Sequence, residues 1–368
     1  MVGKILLSLF ALMLAFTTTL FTADAFTGTT DDGSPSGKFT TFNVPGAGTG
    51  SGQGTSAVAI NRAGEISGYF VDSADVSHGF LRAPDGTITK FSVAGAGKGV
   101  SEGTSPSNLN AAGTITGFYV DFHDVYHGFL RAVDGTITKF NVQGSQDTYP
   151  VAINPGSTVS GTYRDASNVY HGFLRAFDGR VTDVSVRGSL GTKGLGINPA
   201  GTITGFYLDS SDVYHGFFRA AAGTITKFSV QGAGKGQYQG TIPQSINSGS
   251  TITGFYLDSS DVYHGFFRGS NGTVTTFDAP GAGAGEYQGT VAGGINAAGE
   301  ISGYYADSSS VYHGFLRDTN GTIKRLDAPG AGTGGYEGTI PESINSVGAI
   351  AGYYVDSNNA SHGFLWSK

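Results

Sequence analysis

The chain has 368 residues, with 61 Gly, 25 Phe and 18 Tyr, only 13% charged residues, no Cys and a formal net charge of −7. So much glycine would suit a disordered chain, but the aromatic residues supply an apolar core that unfolded tails lack. A modest acid excess without a basic run excludes a nucleic-acid binder that tracks phosphates, and zero cysteines exclude disulfide staples, thiolate nucleophiles and Cys-ligated zinc.

In chain order, residues 1–25 predict a secretory signal. Lys4 supplies the positive start, residues 5–16 the apolar stretch, and Ala23-Asp24-Ala25 an A-x-A cleavage site. Thr17, Thr18 and Thr19 end the apolar run at about a dozen residues, short of the ~20 that a membrane span needs. The mature product is expected to be secreted, extracellular or periplasmic, with no membrane span. Residues 26–36 read as a short flexible linker, and residues 37–368 as one domain.

That domain is one unit written seven times. His-Gly-Phe recurs at His78, His127, His171, His215, His264, His313 and His362, at spacings of 49, 44, 44, 49, 49 and 49. The same steps relate Asn61, Asn110, Asn154, Asn198, Asn247, Asn296 and Asn345. Eleven residues after each comes Asp72, Asp121, Asp165, Asp209, Asp258, Asp307 or Asp356. Periods of 40 to 50 residues with glycine and aromatic punctuation point to propeller blades or another repeat array.

Four strands per repeat are predicted, in the first copy over residues 55–60, 65–71, 78–82 and 87–93. The first turn, 61–64, ends in Gly64. The last turn carries Asp85-Gly86, echoed by Asp134-Gly135, Asp178-Gly179, Asn271-Gly272 and Asn320-Gly321. These dipeptides predict type I′ hairpins, in which both central residues take positive φ. Gly68 and its counterparts inside the second strand predict close approach by another backbone or a bulky ring.

Residues 37–44 are a lone copy of the fourth strand, and the last repeat stops at Lys368 without one. The offset predicts an all-β fold, a seven-bladed β-propeller of four-stranded antiparallel blades, closed when the N-terminal strand completes the last blade. An open solenoid would need polar capping repeats instead.

The unit Ile-Asn-x-x-Gly-x-Ile-x-Gly followed by His-Gly-Phe-Leu resembles the HAF-type probable extracellular repeat family, whose members carry Ile-Asn-x-x-Gly-x-Val-x-Gly and His-Ala-Phe-Leu-Trp. The resemblance covers residues 37–368. Trp366 fits the pattern, whereas Arg82, Arg131, Arg175, Arg219, Arg268 and Arg317 replace that Trp and Gly replaces Ala throughout. The resemblance implies a secreted repeat protein and transfers no activity.

The Asp and His six residues apart could form half of a catalytic triad or a buttressed metal ligand. Seven copies favour a turn lock in every blade, with the Asn set bonding its own turn. No cofactor is expected. Asp72-Ser-Ala-Asp75, Asp209-Ser-Ser-Asp212 and Asp258-Ser-Ser-Asp261 would admit Ca2+, but lack the bidentate carboxylate and fixed glycine of a calcium loop. The Gly-Ala-Gly segments open no helix and read as crossovers between blades.

Function is sought where the copies differ. The crossovers over 143–151 and 187–195 are five residues shorter than the rest and predict a groove beside a raised rim. Just before the first strands stand Gln53, Glu102, Gln239, Gln288 and Glu337, preceded in three repeats by Tyr238, Tyr287 and Tyr336. Tyr beside Gln or Glu can stack on a sugar or peptide and bond its polar groups. His123, outside the lattice, is a further candidate contact, and Arg164 is another odd residue.

The expected function is a binding module that engages an extracellular glycan or protein through the Gly-rich crossover face, as a monomer. The alternatives are a polysaccharide lyase or hydrolase using Glu102, Glu337 or His123 as acid or base, and a purely structural repeat protein. Hydrolysis would need two carboxylates roughly 5 to 10 Å apart.

Overall fold

Every repeat folds as short antiparallel strands in a computed structural model that describes residues 37–368. The expected signal and linker, 1–25 and 26–36, lie outside the described residues. Strand β1 (Lys38–Phe42) precedes the first repeat, which comprises β2 (Gly54–Ile60), β3 (Ile66–Val71), β4 (Ser77–Arg82) and β5 (Ile88–Phe91). The second holds β6 (Gly103–Leu109), β7 (Ile115–Val120), β8 (Tyr126–Arg131) and β9 (Ile137–Phe140). The third holds β10 (Ser145–Ile153), β11 (Val159–Asp165), β12 (Tyr170–Arg175) and β13 (Val181–Asp183). The fourth holds β14 (Gly191–Ile197), β15 (Ile203–Leu208), β16 (Tyr214–Arg219) and β17 (Ile225–Phe228). The fifth holds β18 (Gly240–Ile246), β19 (Ile252–Leu257), β20 (Tyr263–Arg268) and β21 (Val274–Phe277). The sixth holds β22 (Gly289–Ile295), β23 (Ile301–Ala306), β24 (Tyr312–Arg317) and β25 (Ile323–Leu326). The last holds β26 (Gly338–Ile344), β27 (Ile350–Val355) and β28 (Ser361–Ser367). No helix occurs among the described residues, so none there is long and apolar enough to cross a membrane.

The fourth strand is shorter than predicted. After Phe91 the chain turns inward, because Val93 is buried and its N–H donates to Thr104 Oγ1 at 2.9 Å. The type I′ expectation is also corrected. Gly86 has φ 95°, but Asp85, like Asp134, Asp178, Asn271 and Asn320, stays at negative φ. Gly86 N–H donates to Ala83 O and Ala83 N–H to Thr87 O, while Asp85 Oδ1 accepts from Thr87 N–H. This is a type I turn followed by one left-handed glycine, the form that suits a three-residue connection.

Gly68 lies between Ala57 and Phe80 in the register. A Cβ there would collide with the Ser56 carbonyl and the Phe80 ring, which is fully buried. Phe129, Phe173, Phe217, Phe266, Phe315 and Phe364 repeat that burial, so the core is a succession of aromatic layers between sheets.

At the seam, β1 runs antiparallel to β28, with Lys38 opposite Ser367 and Phe42 opposite Gly363. The Phe39 ring meets Phe364 edge-on at 5.4 Å, and Trp366 is buried beside them. Each first strand contacts the first strands of its neighbours, and β26 contacts β2. The Asn lattice follows the same course. Asn61 Nδ2 donates to Asn110 O, each later Asn donates to the carbonyl of the next, and Asn345 donates to Asn61 O at 3.0 Å. Its Oδ1 serves its own turn, as expected; the bond to the next repeat was not foreseen.

Candidate functional site

The long crossovers set one rim of the molecule. In each, a Gln or Glu folds back and caps the N–H of the glycine three residues earlier. Gln53 Oε1 accepts from Gly50 N–H at 3.0 Å, Glu102 from Gly99 at 2.5 Å, Gln239 from Gly236 at 2.9 Å, Gln288 from Gly285 at 3.0 Å, and Glu337 from Gly334 at 2.7 Å. The amide nitrogens of Gln53 and Gln239 donate onward to Asp75 and Asp261. Each of these five side chains thus accepts from a backbone N–H of its own loop, the two carboxylates named for acid-base work included.

The residue just before each cap is Gly52, Ser101, Tyr238, Tyr287 or Tyr336, and all five are left-handed. Their N–H groups donate to the carbonyls of Asn359, Asp75, Asp212, Asp261 and Ser310 in the preceding repeat. That geometry suits glycine; a tyrosine there costs about 1 kcal/mol. Tyr287 and Tyr336 are nevertheless 58% exposed.

Behind them stands a second row. Tyr238 lies 6.2 Å from Tyr214, Tyr287 6.3 Å from Tyr263, and Tyr336 6.2 Å from Tyr312. These in turn contact Phe206, Phe255 and Tyr304 at 5.1, 5.4 and 5.2 Å. Three aromatic ladders therefore run inward from the rim on consecutive repeats. Burial pushes the phenols of Tyr214 and Tyr312 up to about 12, so they remain protonated donors. Tyr214, Tyr263 and Tyr312 were not singled out from sequence; the signal was the residue before each His, which is Ser at Ser77 and Ser361 but Tyr elsewhere.

A hollow lined by Asn141, Gln143, Tyr163 and Asp183 lies beside the first of the two short crossovers. Here Asp147 is 2% exposed and takes Arg164 at 2.5 to 2.6 Å. Arg164 is thereby held in an ion pair. His123 stays within its own turn, its ring 3.8 Å from exposed Phe122 and 4.0 Å from Asp121.

The Asp-His pairs close the turns between second and third strands. His Nε2 lies 2.9 to 3.4 Å from the Asp carboxylate in Asp72–His78, Asp121–His127, Asp165–His171, Asp209–His215, Asp307–His313 and Asp356–His362, and 3.6 Å in Asp258–His264. On its other side Nδ1 meets Ser92, Asn141, Ser185, Ser229, Asp278, Asp327 or Asn43. A hydroxyl at three of seven places, replaced by amide or carboxylate at the others, serves the turn and needs no nucleophile. Asp72 Oδ1 also accepts from Ala74 and Val76 N–H, so both oxygens are engaged by the turn and its histidine. Partial burial opposes ionisation of Asp72, but His78 and those N–H groups outweigh it and hold the carboxyl below its ordinary range. No group of three or more His, Asp or Glu among the described residues is arranged to hold a metal ion.

Deeper in, the first strands carry a bulge. In the last repeat its extra residue is Glu342, whose carboxyl is surface-accessible yet enclosed by protein; burial raises it to about 7. On β14, burial lowers Lys193 to about 8, and its Nζ stands 4.8 Å above the Tyr170 ring.

No family model matches the chain, and no curated protein matches its sequence. Solved structures do match. The chain is similar to virginiamycin B lyase from Staphylococcus aureus, with a TM-score of 0.57 and 11% identity over 90% of this chain and 100% of that one. It is similar to the BP39L lectin from Burkholderia pseudomallei, with a TM-score of 0.54 and 10% identity over 85% and 95%. A puromycin hydrolase gives 0.54 at 11% identity, over 83% of this chain and half of that one. With the repeated four-stranded units, these likenesses define the architecture as a β-propeller. At such identities they carry the fold alone.

Proposed function

We propose that the protein is an exported, closed seven-bladed β-propeller that binds a glycan through the tyrosine arc on its long-crossover rim. Closure is supported by β1 against β28, by β26 against β2, and by the Asn345 bond back to Asn61. Export rests on the character of residues 1–25 and on the resemblance of the repeat to the HAF-type family.

The observation that carries the binding reading is the placement of Tyr238, Tyr287 and Tyr336 in left-handed backbone, where the sister loops use Gly52 and Ser101. Bulky residues are held in such conformations when the ring is wanted at that place. Flat rings backed by a second tyrosine present a rigid apolar face with a hydroxyl at its edge, which suits stacking on a sugar ring. The Gln and Glu caps contribute by fixing the loops that carry the rings.

The test is a pull-down on insoluble polysaccharides and a soluble glycan array, comparing the mature chain with the Tyr287→Ala, Tyr336→Ala double variant. Binding is expected to weaken at least about tenfold while the variant stays folded with only a small drop in melting temperature, as stacked rings at a binding centre imply. Undiminished binding by the double variant, or retention of a protein partner with no glycan, overturns the reading.

A further inference from the structure

Glu342 stands apart from every cap and turn described above. It is the residue inserted between Pro341 and Ser343, where β26 slips against β27, and such bulges re-aim side chains. At the same bulge the other repeats carry Val58, Ser107, Val151, Gln244 and Gly293, with Leu195 and Gly196 in the fourth. Only the last repeat places a charge there.

The second strands beside the bulge are uneven in the same direction. The position on the second strand that follows the inner glycine, Gly68 and its counterparts, is Tyr69, Phe118, Thr162, Phe206, Phe255, Tyr304 and Tyr353 in order. The three phenols fall in the repeat that owns Glu342 and in the repeats on either side, whose first strands β22 and β2 contact β26. All three rings are half-buried, and the Glu342 charge helps to raise each phenol. Strands β2, β3, β22, β23, β26 and β27 contain no other charged residue. One of the aromatic ladders, Tyr336 to Tyr312 to Tyr304, leads from the rim to this point.

An anion with aromatic rings around it and no cation on the first and second strands of its own repeat or of the repeats on either side is a recognition set for an ammonium group, which gains from both the charge and the ring faces. We propose that Glu342, with Tyr69, Tyr304 and Tyr353, binds a protonated primary amine. The amine is supplied either by an unacetylated amino sugar or by a free polyamine. The first source deepens the glycan reading and rests on it; the site itself does not.

Ionisation of Glu342 governs the site. The groups that face it, Tyr69, Tyr304 and Tyr353, and Tyr312 and Tyr263 behind Tyr304, stay neutral below pH 9 because burial raises every one of them. With the carboxyl near 7, an amine should bind at pH 7.5 and lose about tenfold or more at pH 5.5, where the carboxyl is protonated.

The experiment is calorimetry of the mature chain with glucosamine, N-acetylglucosamine and spermidine at both pH values, repeated with Glu342→Gln. Binding of glucosamine and spermidine but not N-acetylglucosamine, lost at pH 5.5 and in the variant, is the expected result. Spermidine alone binding keeps the amine site and removes the amino-sugar source. Equal binding of glucosamine and its acetylated form, equal affinity at the two pH values, or full binding by Glu342→Gln overturns the inference. The pH comparison needs no variant, so the inference remains falsifiable if Glu342→Gln does not fold. Absence of any amine binding, alongside polysaccharide binding that depends on Tyr287 and Tyr336, overturns the amine site and leaves the rim reading standing.

Discussion

Two sectors of the propeller solve one problem differently. Where the crossover is long, the first strand begins with a left-handed glycine pressed on the third strand of the preceding repeat. Gly103 bridges Ser77, Gly240 bridges Tyr214, Gly289 bridges Tyr263 and Gly338 bridges Tyr312. The crossover carbonyl then accepts the N–H at the head of that strand, as Gln239 O does from Tyr214. Where the crossover is short there is no such carbonyl and no such bridge, and β10–β13 form a sheet of their own. Asp147 occupies the glycine position, and its Oδ1 accepts from Tyr126 N–H at 3.1 Å in place of the missing carbonyl. Opposite it, Arg164 stands where other repeats put Val71, Val120 or Leu257. A backbone contact is thus exchanged for an ion pair, which shows that the long loops are dispensable for joining blades. Their retention on the tyrosine side then needs another reason, and the ligand binding proposed above would supply one.

The comparison breaks most readily at Asp147. Asp147→Ala should strand the half-exposed Arg164 guanidinium and leave the Tyr126 N–H without its acceptor. The expected loss is about 3 kcal/mol, the low end for removing one partner of a buried pair. The counterpart test on the long side, Glu102→Ala, removes one loop cap and should cost about 1 kcal/mol. Chemical denaturation measures both. Equal costs would mean that the ion pair does not stand in for the backbone bridge.

The same contrast is sharpened by two glycines at one register position. Gly240 has φ 121°, and a Cβ would overlap the Tyr214 carbonyl. Gly191, at the head of the strand after the second short crossover, is not left-handed, and its nearest neighbour to a Cβ is 3.6 Å away. Gly240→Ala should therefore cost about 2 kcal/mol or more, while Gly191→Ala should be neutral within about 0.5 kcal/mol. Thermal melts of the two variants decide it. A destabilised Gly191→Ala would show that the short crossover is as tightly packed as the long.

How far these differences could be read from sequence depends on what carries them. The strand pattern was legible because period, turn glycines and the offset at residues 37–44 are properties of the string itself. The turn type was not, since Asp-Gly marks a left-handed glycine in either hairpin form and only the connection length chooses between them. Gln53, Glu102 and their kin were placed correctly in the crossovers, but a loop position does not give side-chain direction. Their spacing of three from Gly50 and Gly99 was the overlooked sign of a cap. Arg164 was noticed as odd, yet its partner Asp147 emerges only when the repeats are aligned by register, because the short crossover shifts the count. Glu342 was missed for a related reason: a bulge inserts a residue that simple alternation does not anticipate.

The smallest effect on stability bears hardest on function. Tyr287 has φ 59°, a conformation in which its sister loop uses Gly52. If the ring contributes only packing, through its tilted contact with Tyr263, then Tyr287→Gly should lose more from the missing aromatic pair than it gains from relaxed backbone. If the tyrosine is kept for a ligand, relief of about 1 kcal/mol of left-handed strain offsets the lost contact. The melting temperature should then stay level or rise slightly, while glycan binding falls. A clear drop in melting temperature with binding intact would make Tyr287 a structural residue, and the tyrosine sector would differ from the short-crossover sector only in how its blades are joined.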